Sequence, residues 1–355
     1  MRRLWFLLAV FALLAAGFGV RRLTTKKPPK RESVPEAPAV VPATQKPQAA
    51  TPPADEKTEV PAPLVAKGSG HASDSAVTLS LKWFLTSQNA DGSWGSDGVD
   101  YLDGRAYTKT GATALALLAF LGAGYSPLSK DLMGDKNVGE AVAKAAAWLE
   151  ANADGDPLNL SIAAIALNEL YGMTGTEKYK GAAQTALAKV TAAQRADGSW
   201  GDLLSSLMAA ETLASARLSG LDVSADVVNR SLGYLRNEID VHRDSAAAAG
   251  VALLGRDRTD PSLATAKNLM LSAPPDWTQQ NWEYWYLGSM AMFQIDGPSG
   301  DGWKAWNPAL KETLVRNQDR AGGWPGTGGA TAAAVRNGYG TLSLEIYYRY
   351  ANIIK

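Results

Sequence analysis

Four carboxylates stand where they could carry chemistry. Glu211 and Glu345 each lie inside an otherwise apolar segment, Glu283 opens an aromatic-rich stretch, and Asp244 ends the run His242-Arg243-Asp244. A carboxyl group taken out of water keeps its proton at higher pH, and two carboxyls facing each other are the apparatus of glycoside hydrolysis. Spacing along the chain does not set which of the four converge. His242 beside Asp244 has the composition of a general acid–base pair. Asp244 directly before Ser245 and an alanine run is equally a helix N-cap, the reading we favour. The remaining residue types exclude other chemistries. There is no cysteine, so disulfides, thiolate nucleophiles and cysteine-bound metals are ruled out. Two histidines, His71 and His242, do not furnish a zinc site. No metal and no cofactor is expected.

Binding candidates come from aromatic and polar residues. Trp282, Trp285 and Tyr286 fall on one helical stripe with Ser289 and Phe293. Such a stripe is either core or an aromatic wall for a polyprenyl chain, a sugar or a peptide side chain. With Tyr107, His242 and Arg243 these three make up the candidate ligand-binding set. The formal net charge of +0 gives no sign of a nucleic-acid partner.

The elements that position these residues are set by a repeat. Residues 88–95 read Gln-Asn-Ala-Asp-Gly-Ser-Trp-Gly and return as Gln-Arg-Ala-Asp-Gly-Ser-Trp-Gly at 194–201. A degraded third copy, Gln-Asp-Arg-Ala-Gly-Gly-Trp-Pro, occupies 318–325. In each copy Gln and Trp (Gln88 and Trp94, Gln194 and Trp200, Gln318 and Trp324) stand six apart, after a segment of helical periodicity. Apolar spacing of three and four marks six helix pairs: 76–87 with 108–121, 138–152 with 158–171, 178–194 with 203–218, 225–238 with 244–254, 261–271 with 282–293, and 308–317 with 334–350. No strand alternation is read in this region. First members carry charges on one face; second members are apolar nearly all round and rich in Gly, Ala, Ser and Thr. A helix without a polar face has to be buried on most sides, and small residues let backbones approach. An outer ring around a buried inner ring satisfies both patterns and gives an all-α (α/α)6 toroid.

The three Gln–Trp copies resemble those of squalene–hopene and oxidosqualene cyclases, and the helix-pair barrel is similar to that of protein prenyltransferase β-subunits. The resemblance covers roughly residue 73 to the C-terminus. It implies that Gln88, Gln194 and Gln318 cap helices and that Trp94, Trp200 and Trp324 pack between neighbouring repeats. It also implies one mouth lined by the N-terminal ends of the inner helices. That rim would carry Asp103, Arg105, Tyr107, Lys109, Asn159 and Asp202 on one side, and His242, Arg243, Asp244, Asn281, Glu283, Arg336 and Asn337 on the other. The family's chemistry does not follow. The Asp-x-Asp-Asp acid of the hopene-type cyclases is absent, and Asp154-Gly155-Asp156, followed by Pro157, reads as a turn. The zinc ligands of prenyltransferases and lanthionine cyclases, and the cysteine of thioester-containing toroids, are absent too.

Residues 4–20 are an uncharged apolar run between basic clusters, read as an uncleaved membrane anchor within 1–27. Residues 28–72 are Pro- and Ala-rich; 28–70 hold ten of the chain's eighteen prolines and read as a disordered tether. The toroid follows over 73–355. The expected whole is a membrane-tethered, extracytoplasmic toroid, non-catalytic, binding a lipid, glycan or polypeptide at its mouth. The alternatives are a diverged isoprenoid cyclase, a carbohydrate-active enzyme or a scaffold.

Overall fold

A computed structural model describes residues 71–349. The expected anchor and nearly all of the tether lie outside them; His71 and Ala72, the last tether residues, already belong to the first helix. The described residues fall within one compact unit, Thr58–Lys355. Among them no helix is long and apolar enough to cross a membrane.

Twelve α-helices are found among the described residues, alternating between two rings. The outer ring is α1 (His71–Ser87), α3 (Val138–Asn152), α5 (Glu177–Ala192), α7 (Ala225–Asp240), α9 (Pro261–Ser272) and α11 (Asp301–Asn317). The inner ring is α2 (Lys109–Gly122), α4 (Pro157–Thr174), α6 (Leu203–Leu218), α8 (Ala248–Gly255), α10 (Trp282–Asp296) and α12 (Ala330–Arg349). Each inner helix packs on the next, and α12 packs back on α2, so the ring is closed. Inner helices are buried almost throughout: every residue of α2 from Thr110 to Leu121 is enclosed. Small residues permit this. A Cβ on Gly338 would lie 2.6 Å from the Leu115 side chain, and one on Gly288 would lie 2.7 Å from the Trp306 ring. Short polar residues start the helices: Asp156, Asp202 and Asn281 accept N–H bonds in the first turns of α4, α6 and α10.

The Gln–Trp copies join outer helices around the ring. Gln88 Nε2 donates to the Ala141 carbonyl of α3, Gln194 Nε2 to that of Val227 in α7, and Gln318 Nε2 to that of Ala76 in α1, each at 2.9 Å. The third, degraded copy therefore makes the closing junction. Each indole N–H donates to a carbonyl ten residues back, in the last turn of the preceding outer helix: Trp94 to Phe84, Trp200 to Val190, Trp324 to Leu314. All three rings are buried. The glycine between Gln and Trp has positive φ and touches the next outer helix; Gly198 has φ +90, and a Cβ there would run into the Arg230 carbonyl. Gly198→Ala is expected to destabilise by about 2 kcal/mol, from backbone strain and overpacking together. Urea denaturation against the parent checks this; Gly181, which has open space around it, is the control position.

Three expectations need correcting. Strands are present: β1 (Val99–Leu102) pairs antiparallel with β2 (Arg105–Thr108), and β3 (Leu132–Met133) with β4 (Lys136–Asn137). The first hairpin turns at Asp103-Gly104, both at positive φ, as a two-residue primed turn requires. Next, α8 starts at Ala248, after a single 3-10 turn over Ser245–Ala247. Finally, α11 starts seven residues early, at Asp301, with Pro308 inside it. The Asp296 carboxylate accepts the N–H groups of Gly302 and Trp303 and so satisfies the early first turn. Pro308 is exposed, where water can replace the lost helix bond.

Candidate functional site at the ring mouth

The β1–β2 hairpin lies across the N-terminal ends of the inner helices and is tied to four of them. Asn159 of α4 accepts the Thr108 N–H (3.0 Å) and donates to the Ala106 carbonyl (3.2 Å). Asp100 accepts the Ala332 N–H of α12 (2.9 Å), Arg105 reaches Asp202 at the start of α6 (3.3 Å), and Asp103 lies 3.5 Å from the Trp282 N–H of α10. The last residues of β2 carry Tyr107 into the ring, where its hydroxyl donates to Glu283 Oε1 at 2.8 Å. The Tyr339 hydroxyl lies 3.2 Å from that of Tyr107. Deeper along the axis Tyr286 donates to Glu211, and Arg349 bonds both the Tyr286 hydroxyl (2.7 Å) and the Glu169 carboxylate (2.7 Å). A chain of buried polar contacts thus runs inward from the hairpin.

Two cavities open beside this strap. The first, of ≈ 190 Å³, has Leu203, Leu204, Leu207 and Leu287 as apolar wall. Its polar groups are Asp103, Arg105, Asp244, Asn281 and Glu283. The second, of ≈ 780 Å³, shares Asp244, Asn281 and Tyr284 with the first and extends over His242, Arg243, Asp276, Gln279, Gln280 and Trp285. Burial pushes the Glu283 carboxyl up to about 7, against the smaller opposing effect of the Tyr107 hydrogen bond; the Asp103 charge adds to the rise. Burial also raises Asp103. Around neutral pH, Glu283 is poised between acid and carboxylate inside a polar pocket, the state a general acid or base needs.

The other candidates are distributed differently. Asp244 accepts the Ala246 N–H at 2.9 Å and is a cap that also faces both cavities. His242 and Arg243 are exposed on the larger cleft. Trp282, Trp285 and Tyr286 are buried; Trp282 packs against Trp277, Trp285 and Trp324, and only Trp285 borders the cleft. Glu211 and Glu345 are enclosed within the ring. Neither oxygen of Glu345 has a hydrogen-bond partner among the described residues, and burial raises its pKa well above the usual carboxylate range. On the rim, Arg336 and Asn337 serve the Trp324 backbone, and Lys109 pairs with Asp97. Among the described residues no three or more His, Asp or Glu side chains converge as metal ligands would.

Sequence reasoning missed the hairpin, Arg349 and the amides of Gln279 and Gln280. Asp-Gly at 103–104 between short apolar-polar alternations was the available signal for the hairpin. Arg349, four residues after Glu345 on an apolar helix, was the signal for the axial charge cluster.

No protein-family description matches the chain, and no curated protein matches it. Solved structures do. The GH76A α-1,6-mannanase of Salegentibacter sp. HEL1_6 is similar at 13% identity and TM-score 0.56, over 78% of this chain and 98% of that one. Its inactive double Asp→Asn variant, in complex with α-1,6-mannotriose, gives 14% identity and TM-score 0.55, over 78% and 99%. An Asp→Asn variant of the type II terpene cyclase MstE from Scytonema, bound to geranylgeranyl dihydroxybenzoate, gives 13% and 0.50, over 78% and 97%. At these identities the likeness shows the fold, an α/α toroid, and nothing of the activity.

Proposed function

We propose that the toroid is a carbohydrate-active domain that receives a glycan at its mouth, with Glu283 as proton donor and Asp103 as the carboxylate beside it. The observation that carries this reading is the place of Glu283, a carboxyl held by Tyr107 at the wall of a polar pocket that adjoins a larger cleft across Asp244, Asn281 and Tyr284. Amides, carboxylates and aromatic faces around one concave surface match the hydroxyls and ring faces of sugars. The mannanase neighbour, caught with α-1,6-mannotriose, supports a sugar chain as a ligand for this architecture. The hydroxyls and charges of Tyr107, Glu283, Tyr286, Glu211 and Arg349 inside the ring argue against a polyprenyl substrate, which needs a long apolar chamber. As the sequence suggests, we place the domain outside the cytoplasm, on an anchor within residues 1–27.

A second reading, binding without turnover, is favoured by the engagement of Asp244 at Ala246 and of Asp103 at Trp282, which leaves both carboxylates in structural contacts. One experiment separates the two. The protein is incubated with α-1,6-mannotriose, α-1,6-mannotetraose and cell-envelope polysaccharides from pH 4 to 9, and both reducing ends and tryptophan fluorescence are read. Turnover should fall as pH rises past about 7, because the donor loses its proton there. Glu283→Gln should cut turnover roughly 10²–10⁴-fold while the sugar still binds. Binding with no turnover in the parent selects the second reading. Neither binding nor turnover across the panel sinks the glycan assignment.

A further inference from the structure

We infer that the site takes the end of a sugar chain and not its middle, and that the hairpin residues Asp103 and Arg105 impose this; the inference rests on the glycan reading above. The pocket that holds Glu283 has the hairpin turn as one wall. That turn is tied on both flanks, Arg105 to Asp202 at the start of α6 and Asp103 to the Trp282 N–H at the start of α10. The strands behind it are fastened by Asn159 and by the Asp100–Ala332 bond, and Tyr107 is buried with its hydroxyl on Glu283. On that side, therefore, the hairpin and the buried Tyr107–Glu283 contact bound the pocket.

On its other side the pocket shares Asp244, Asn281 and Tyr284 with the larger cleft, whose far wall is the loop bearing Asp276, Gln279 and Gln280. At ≈ 190 Å³ the pocket is smaller than the roughly 300–1,000 Å³ of sites for drug-sized ligands, a size for one sugar ring; the ≈ 780 Å³ cleft lies within that range and suits several. A chain arriving along the cleft stops at the hairpin. Glu283, in the hairpin-walled pocket, then faces the linkage between the last residue and the next.

The test titrates the full-length protein, by tryptophan fluorescence, with three forms of α-1,6-mannotetraose. One is unmodified, one carries a bulky fluorophore at the reducing end, and one carries a benzylidene acetal on the non-reducing terminal residue. One modified form should lose detectable binding while the other binds like the unmodified chain. Equal binding of all three, or loss for both modified forms, overturns end recognition. Failure of all three to bind overturns this inference, and joined to failure of the whole panel above it overturns the glycan reading as well. In the Asp103→Ala/Arg105→Ala double variant the excluded form should bind again. Arg105→Ala alone, at an exposed ion pair, repeats the measurement with the turn kept, and absence of any recovery in both variants removes the hairpin as the wall.

Discussion

Trp200→Ala is expected to lower the unfolding free energy by about 3–5 kcal/mol, as truncation of a large buried aromatic does. The ring is 1% exposed, and its N–H holds the Val190 carbonyl at 2.6 Å. Its own backbone N–H is bonded to Ser206 of α6. One residue thus fixes the end of an outer helix, through its indole, to the start of an inner one, through its backbone N–H. Alanine leaves a cavity and removes the indole hydrogen bond, although the Ala193 N–H still donates to the Val190 carbonyl, so the cavity term dominates. Trp94→Ala and Trp324→Ala should fall in the same range, since their indoles make the equivalent bonds to Phe84 and Leu314. Thermal or urea unfolding of the three variants measures this, and a midpoint unchanged from the parent for Trp200→Ala would show that the repeat does not hold the ring together.

Glu283→Gln should do the opposite and stabilise the protein, but only at neutral and higher pH. The folded-state carboxyl titrates near 7 and the free one near 4.5. Between those values the native state keeps a proton that the unfolded chain has released. The stability this group contributes is therefore complete below about pH 4.5 and is lost as pH rises to about 7. The difference of about 2.5 pH units corresponds to about 3 kcal/mol. A glutamine keeps an oxygen for the Tyr107 hydroxyl and never ionises. The variant should match the parent at pH 4 and exceed it by about 3 kcal/mol at pH 8. Urea midpoints at the two pH values give the comparison. An equal offset at both would mean that ionisation of Glu283 is not what the fold opposes. Paired with the loss of turnover proposed above, such a gain marks a residue kept for function at a cost in stability.

The ring was legible because its signals are local and repeated. Small-residue helices, apolar all round, have only one place to go, and three Gln–Trp copies mark the junctions. The hairpin escaped because its strands are four residues each and its lone Asp-Gly turn was outweighed by the helices on either side. Pro308 misplaced the start of α11 because a proline normally opens a helix; the side chain that starts it earlier, Asp296, acts from the end of α10. Five of the expected rim residues, Asp103, Arg105, Asp244, Asn281 and Glu283, line one pocket. What composition and period could not supply was which groups meet across the ring. The Tyr107–Glu283 contact joins residues 176 apart, and Arg349 reaches Glu169 across 180.

The junction made by Gln318 gives this domain a property that stacked helical repeats lack. In an open array each unit leans only on its neighbours, and the two terminal units need polar caps and loosen first. Here the amide of Gln318 reaches Ala76, and α12 lies against α2, so the first and last pairs are neighbours like any others. The first and last described helices are not ends of the ring. Closure leaves no pair with a free outer face, so the ring has no terminal unit from which fraying would begin.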